Sequence, residues 1–122
     1  MNVMRRIAAA VTALILVAAF TACSPQKPEV VPSAELPSGF KPAVTVHVID
    51  NRYEPAEVEI EAGEAVRWVF EGRMDHDVVA EDGSFVSELI TAGEYIHVFD
   101  EPGEWRYDCS VHPEMVGTIT VS

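Results

Sequence analysis

Glu57-Val58-Glu59-Ile60-Glu61-Ala62-Gly63-Glu64-Ala65-Val66-Arg67-Trp68-Val69-Phe70 is the stretch that decides the fold. Val58 and Ile60 alternate with Glu57, Glu59 and Glu61; beyond a glycine turn, Val66, Trp68 and Phe70 form a second stripe. A period of two gives each segment one apolar face, the mark of a half-buried strand. Working outward, Val44, Val46 and Val48 alternate with Thr45, His47 and Ile49, and further strands are expected at Asp77–Ala80, Tyr95–Asp100, Trp105–Cys109 and Val116–Val121. Short stripes separated by Gly, Pro and Asp turns predict an all-β sandwich, and no stretch calls for a helix. Ala62-Gly63-Glu64 and Asp82-Gly83 supply positive-φ turn positions, and Glu101-Pro102-Gly103-Glu104 holds the Pro-Gly pair of a type II turn. Tyr95–Asp100 is expected to pair with Trp105–Cys109 as a hairpin across that turn.

The pattern starts near Ala43, so the folded domain is assigned to residues 43–122. Upstream, Ser24 to Pro42 contains five prolines and no strand or helix period. Residues 23–42 therefore read as a semi-extended linker that would hold the domain off a membrane and let it reorient. Residues 1–22 have the build of a signal peptide: Arg5 and Arg6, an uncharged run from Ile7 to Phe20, then small residues before Cys23. That run falls short of the roughly 20 residues a spanning helix needs. Phe20-Thr21-Ala22-Cys23 resembles a bacterial lipobox, with Phe where Leu is usual. The resemblance implies diacylation of Cys23 and a lipid anchor on the outer side of a bacterial cell membrane, periplasmic or cell-surface. Several acyl chains hold firmly where one is marginal.

All 20 acidic residues but only six of the eight basic ones follow Cys23, leaving a formal charge of −14 on that part. Such a field repels phosphates, which argues against nucleic acid, and it attracts basic partners. A monomer is expected.

With Cys23 assigned to the anchor, Cys109 is a lone thiol in an oxidising compartment, where burial or a metal must protect it. It opens Cys109-Ser110-Val111-His112-Pro113-Glu114-Met115, which places a thiolate, an imidazole and a thioether within seven residues. This soft set suits copper; zinc would recruit more Cys, His or carboxylate and ignore Met. A second imidazole is needed, and of His47, His76 and His97 only His76 stands at a strand end, where loops gather. Met74 is a rival axial donor, but it lacks the motif spacing and is expected to pack. Asp75, Asp77, Asp108 and Glu114 flank the donors and read as a solvated acidic rim.

The domain resembles the cupredoxins, and among them the plastocyanin and amicyanin branch, in Tyr53-Glu54-Pro55, Glu61–Trp68, Asp75-His76-Asp77-Val78-Val79, Phe99–Glu104 and Tyr107–Gly117. The two-residue gap between His112 and Met115 resembles the shorter amicyanin loop. The resemblance implies a Greek-key β-sandwich holding one type 1 copper, with His76, Cys109 and His112 as equatorial ligands and Met115 as the long axial one. It also implies an electron port at His112, with Val111, Pro113 and Met115 as candidates for an apolar patch. One departure concerns bracing: where the family often has Asn after the first His, this chain has Asp77, which when ionised cannot donate a hydrogen bond.

The function expected is single-electron shuttling between redox proteins, docking through a basic surface on the partner. A carrier or buffer that delivers copper to a cuproenzyme or exporter would use the same ligands and is the alternative. No nucleophile and base pair is legible, and four protein ligands leave no place for substrate, so no enzyme activity is expected.

Overall fold

In a computed structural model, which describes residues 26–122, eight strands form two four-stranded sheets and no helix occurs among the described residues. The strands are β1 (Val44–Ile49), β2 (Arg52–Glu54), β3 (Glu57–Ile60), β4 (Glu64–Phe70), β5 (Val79–Ala80), β6 (Gly93–Phe99), β7 (Gly103–Cys109) and β8 (His112–Val121). One sheet has the order β2-β1-β4-β6 and the other β3-β8-β7-β5. β1 runs parallel to β4 and β3 parallel to β8, while the remaining pairs are antiparallel.

The alternating stripes point where their period requires. Val46, Val48, Val58, Ile60, Val66, Trp68 and Phe70 are all buried in the layer between the sheets. Trp68 is fully enclosed, stacked on Phe85 at 5.5 Å and edge-on to Tyr107 at 5.5 Å. Each such aromatic pair contributes about 0.5–1.5 kcal/mol beyond the area it buries. Across β7 and β8 the ring of Tyr107 lies over Gly117: a Cβ there would stand 2.2 Å from the Tyr107 ring, so no larger residue fits without moving it.

Three expectations change. Tyr95–Asp100 and Trp105–Cys109 do not form a hairpin: β6 pairs with β4 in one sheet and β7 with β8 and β5 in the other. The Pro102-Gly103 turn therefore crosses between sheets, and Phe99 meets Trp105 edge-on at 5.6 Å across the gap. A turn fixes the chain's reversal, but its partner strands are chosen by which faces must be buried together. The expected strand Asp77–Ala80 shrinks to Val79–Ala80, preceded by an isolated bridge between His76 and Ile90. Finally, the proline-rich segment does not stand apart from the sandwich. Val31 N–H donates to Val86 at 2.8 Å, Ala34 N–H to Ile96 at 2.8 Å, and Tyr95 Oη to the Val31 carbonyl at 3.0 Å. Proline stiffens this segment, but its free backbone groups still find partners on the domain. Cys23 and the signal sequence lie outside the described residues.

Candidate metal centre

Two parts of the chain converge at one end of the sandwich. The first is the β7–β8 hairpin. Along β7 the inward positions are Tyr107 and Cys109, and along β8 they are Met115, Gly117, Ile119 and Val121, so Cys109 and Met115 top two core-facing stripes. The ladder slips here: Asp108 faces Val116, whereas Cys109 faces His112. Pro113–Met115 thus forms a bulge, the kind of irregularity that re-aims side chains beside a site. Only Ser110 and Val111 lie outside the two strands, so the ligand loop read from the sequence is a tight turn plus this bulge. It brings His112 Nδ1 to 3.7 Å from Cys109 Sγ.

The second part is the connection from Glu71 to Ile90. His76 is held by two backbone bonds with Ile90, both 3.0 Å, and its ring centroid lies 5.0 Å from that of His112. The ring is 1% exposed, yet among the described residues neither Nδ1 nor Nε2 has a hydrogen-bond partner. Asp50 Oδ1 stands 4.0 Å from Nε2, beyond hydrogen-bond reach, and instead accepts from Arg73 N–H at 2.9 Å. Gly72 makes room for the ring: a Cβ would lie 2.8 Å from His76 Cε1 and 2.6 Å from Asp50 Oδ1.

These observations fit a copper ion. A buried imidazole without partners is costly unless a ligand completes it. Burial pushes the Cys109 thiol above its ordinary pKa, opposed by the backbone N–H groups of Asp77, Val111 and His112. A thiolate at this depth calls for a cation beside it. Met115, 1% exposed, adds a thioether, which points away from zinc. Among the described residues no three His, Cys, Asp or Glu side chains converge tightly enough to define a metal point by themselves. The case therefore rests on the donor chemistry and the orphaned imidazole. Cys109 is buried and in no disulfide among the described residues.

His47 and His97 stand away from this cluster. His47 is exposed and bonded to Glu71 at 2.9 Å, and His97 packs between Phe85 and Phe99 with ring centroids at 5.1 and 4.8 Å. Three readings around the site are corrected, two of them of methionines. Met74 does not pack but is 54% exposed, and Met115, offered for the surface patch, is buried. The exposed large apolar residues near His112 are Met74, Leu89 and Val111, which line a shallow depression with it, and Pro113, next in the chain, is exposed as well. Leu89 is invisible as a patch member in the sequence because only the fold brings the 85–90 loop to this end.

Asp77 is not on a solvated rim. It is fully buried, and Ser110 N–H and Ser110 Oγ donate to its two oxygens at 2.7 and 2.5 Å. It braces the turn by accepting bonds, so the brace needs no donor at this position. Tyr53 Oη also donates to the Asp77 carbonyl at 2.6 Å, and burial raises the Tyr53 pKa, so the phenol keeps its proton.

A two-sheet β-sandwich with an imidazole, thiolate and thioether gathered at one end defines a copper-binding cupredoxin. Residues 12–121 match the cupredoxin-like domain family, and the chain belongs to it. It is 35% identical over 97 residues to amicyanin of Paracoccus versutus, covering 75% of this chain and 71% of that protein. It is 32% identical over 83 residues to plastocyanin of Scenedesmus fuscus, covering 57% and 85%. The crystal structure of amicyanin from Paracoccus versutus superposes with a TM-score of 0.59 at 33% identity, covering 77% of this chain and 92% of that one. The cofactor of this family is one type 1 copper, and the chain is a copper electron carrier.

Proposed function

We propose that the chain holds its copper through His76, Cys109, His112 and Met115 and passes single electrons through His112 to a partner with a basic docking surface, while Cys23 tethers it outside the cytoplasm. The observation that carries this reading is the placement of His112. Its ring is within 3.7 Å of the Cys109 thiol, yet half-buried beneath a group of exposed large apolar side chains, Met74, Leu89 and Val111. One imidazole thus links a buried donor set to a surface that a protein can dry on contact.

Bound copper supplies a one-electron couple. The rest is the protein's work: the bulged hairpin and the Asp77–Ser110 brace hold the donors, so electron gain or loss needs little rearrangement. Met74, Leu89 and Val111 exclude water from the port when a partner docks. Asp75, Glu88 and Glu114 are exposed on or next to the port segments, while Arg73 brings a cation to the depression. With the −14 charge of the chain beyond Cys23 the acids favour encounter with a basic surface, an effect on rate more than on affinity.

The test begins with visible and EPR spectra of the copper-loaded protein through a cycle of reduction and reoxidation. A strong thiolate-to-copper band that disappears and returns is expected. Reduced protein is then mixed with an oxidised basic cytochrome at several salt concentrations, with copper content followed. The rate should fall as salt rises past about 0.1 M, where screening acts within about 10 Å. A slow, salt-independent rate with stoichiometric copper transfer to an acceptor would make the protein a copper carrier instead. For the tether, intact mass of the processed protein should show an acylated Cys23; an unmodified start elsewhere would remove the anchor.

A further inference from the structure

Lys27 lies 49 positions before His76, in a segment whose composition reads as linker, yet its ammonium reaches the innermost polar group of the metal end. Lys27 Nζ is 2.7 Å from Asp77 Oδ2 and also donates to the Ser87 carbonyl at 2.7 Å. Its side chain is 26% exposed while that of Asp77 is fully enclosed. The knot extends through Ser87, whose Oγ accepts from Val78 N–H at 2.9 Å and donates to the Glu88 carbonyl at 3.0 Å. Asp77 follows His76 in the chain and Ser110 follows Cys109. The carboxylate is therefore a cross-brace between the backbones that carry two donors, accepting from Ser110 N–H and Ser110 Oγ. A buried carboxylate without a counter-charge is costly, and Lys27 supplies that charge.

We propose that residues 27–34 form a strap along the sandwich that reaches the metal end through Lys27, and that Lys27 is a positioning residue for the copper site, which by neutralising Asp77 holds the Ser110 turn in place and sets the electrostatic field at the metal. The strap is fixed at both ends: at Lys27 by Asp77 and Ser87, and further on by Val31 to Val86 and Ala34 to Ile96, with Ser33 Oγ accepting from Ile96 N–H at 3.0 Å. Its state is therefore coupled to the site. With the strap docked, Asp77 is compensated; with Lys27 withdrawn, an uncompensated negative charge stands one residue from His76 and favours the more positive, oxidised copper. Residues 27–34 are thus a structural part of the redox centre, and whatever displaces Lys27 acts on the metal.

The inference rests on the copper reading, but its first test does not need copper. In the metal-free protein, hydrogen exchange of the Ser110 amide is compared among wild type, Lys27→Met, Lys27→Arg and the double variant Lys27→Met with Asp77→Asn. Lys27→Met should speed exchange at Ser110 by about tenfold, the weight of one hydrogen bond to a charged group. Exchange in β4 should stay unchanged. Lys27→Arg should keep the protection, and the double variant should recover it, because the amide that replaces the carboxylate still offers an acceptor and carries no charge. In the copper form, Lys27→Met should lower the reduction potential by voltammetry and speed copper loss to a chelator roughly tenfold, and the double variant should reverse the fall in potential. Unchanged Ser110 protection in Lys27→Met would overturn the proposal, as would faster exchange spread evenly through the domain, which would make Lys27 a general stability contact. If the wild type took up no copper, the metal reading would fail while Ser110 exchange still decided the strap.

Discussion

The β7–β8 hairpin brings three of the proposed donors to one end of the sandwich within seven residues, whereas His76 reaches the same end on a connection that has almost no strand of its own. In the hairpin each donor is placed by local rules: Cys109 and Met115 by the period of two, His112 by a two-residue turn and the bulge beyond it. His76 is placed by distant contacts: the bridge to Ile90, the space left by Gly72, and the cross-brace from Asp77 to Ser110. A local code resists change in the rest of the fold. A site held from afar should be the first to loosen.

The largest effect is expected on the hairpin side. Cys109→Ala should abolish the thiolate-to-copper band entirely, and a variant that kept the band would mean that another group is the sulfur ligand. Next in size is Gly72→Ala on the other side. The added Cβ would press on His76 and Asp50, so a loss of about 1–3 kcal/mol of stability is expected, with copper binding weakened on the order of tenfold. Chemical denaturation and competition with a chelator would measure the two, and unchanged binding would show that the 71–76 turn yields freely. Met115→Leu should be milder, since a swap of similar volume leaves the core packed. Copper should remain bound and the potential should rise, because a weak electron-donating ligand is lost.

The smallest effect lies away from both stretches. Burial lowers the His97 pKa below 6.5, its ordinary value, with Asp100 and Asp82 opposing the shift. The unfolded chain then binds the proton more readily than the folded one. Stability from neutral His97 is complete above about pH 6.5 and is lost as pH falls through the lower folded value. Thermal unfolding between about pH 5 and 7.5 should show a shallower acid decline in His97→Gln. An identical decline would assign it to other groups.

How much of this was legible follows the same divide. The stripes at 57–70, the Gly63 and Gly83 turns with φ of 91° and 74°, and the donors in the hairpin could be read from neighbours in the chain. The pairing of Tyr95–Asp100 could not, because the Pro102-Gly103 turn permits either a hairpin or a crossing between sheets. Asp77 misleads for a related reason. A charged residue among charged neighbours looks solvated, and its burial depends on Lys27 and Ser110, 50 and 33 positions away.

By itself the sequence determined that the chain is a β-sandwich and that a soft, copper-fitting donor set lies near its C-terminal end, because alternation and motif spacing act over a few residues and strand geometry converts them directly into faces. Only the tertiary structure decided which strands share a sheet, which apolar side chains surround His112, and that the carboxylate beside His76 is buried against a lysine from the N-terminal segment. Those outcomes depend on desolvating groups far apart in sequence at one place, and the energy of a buried charge is set by what surrounds it in space, not by its neighbours along the chain.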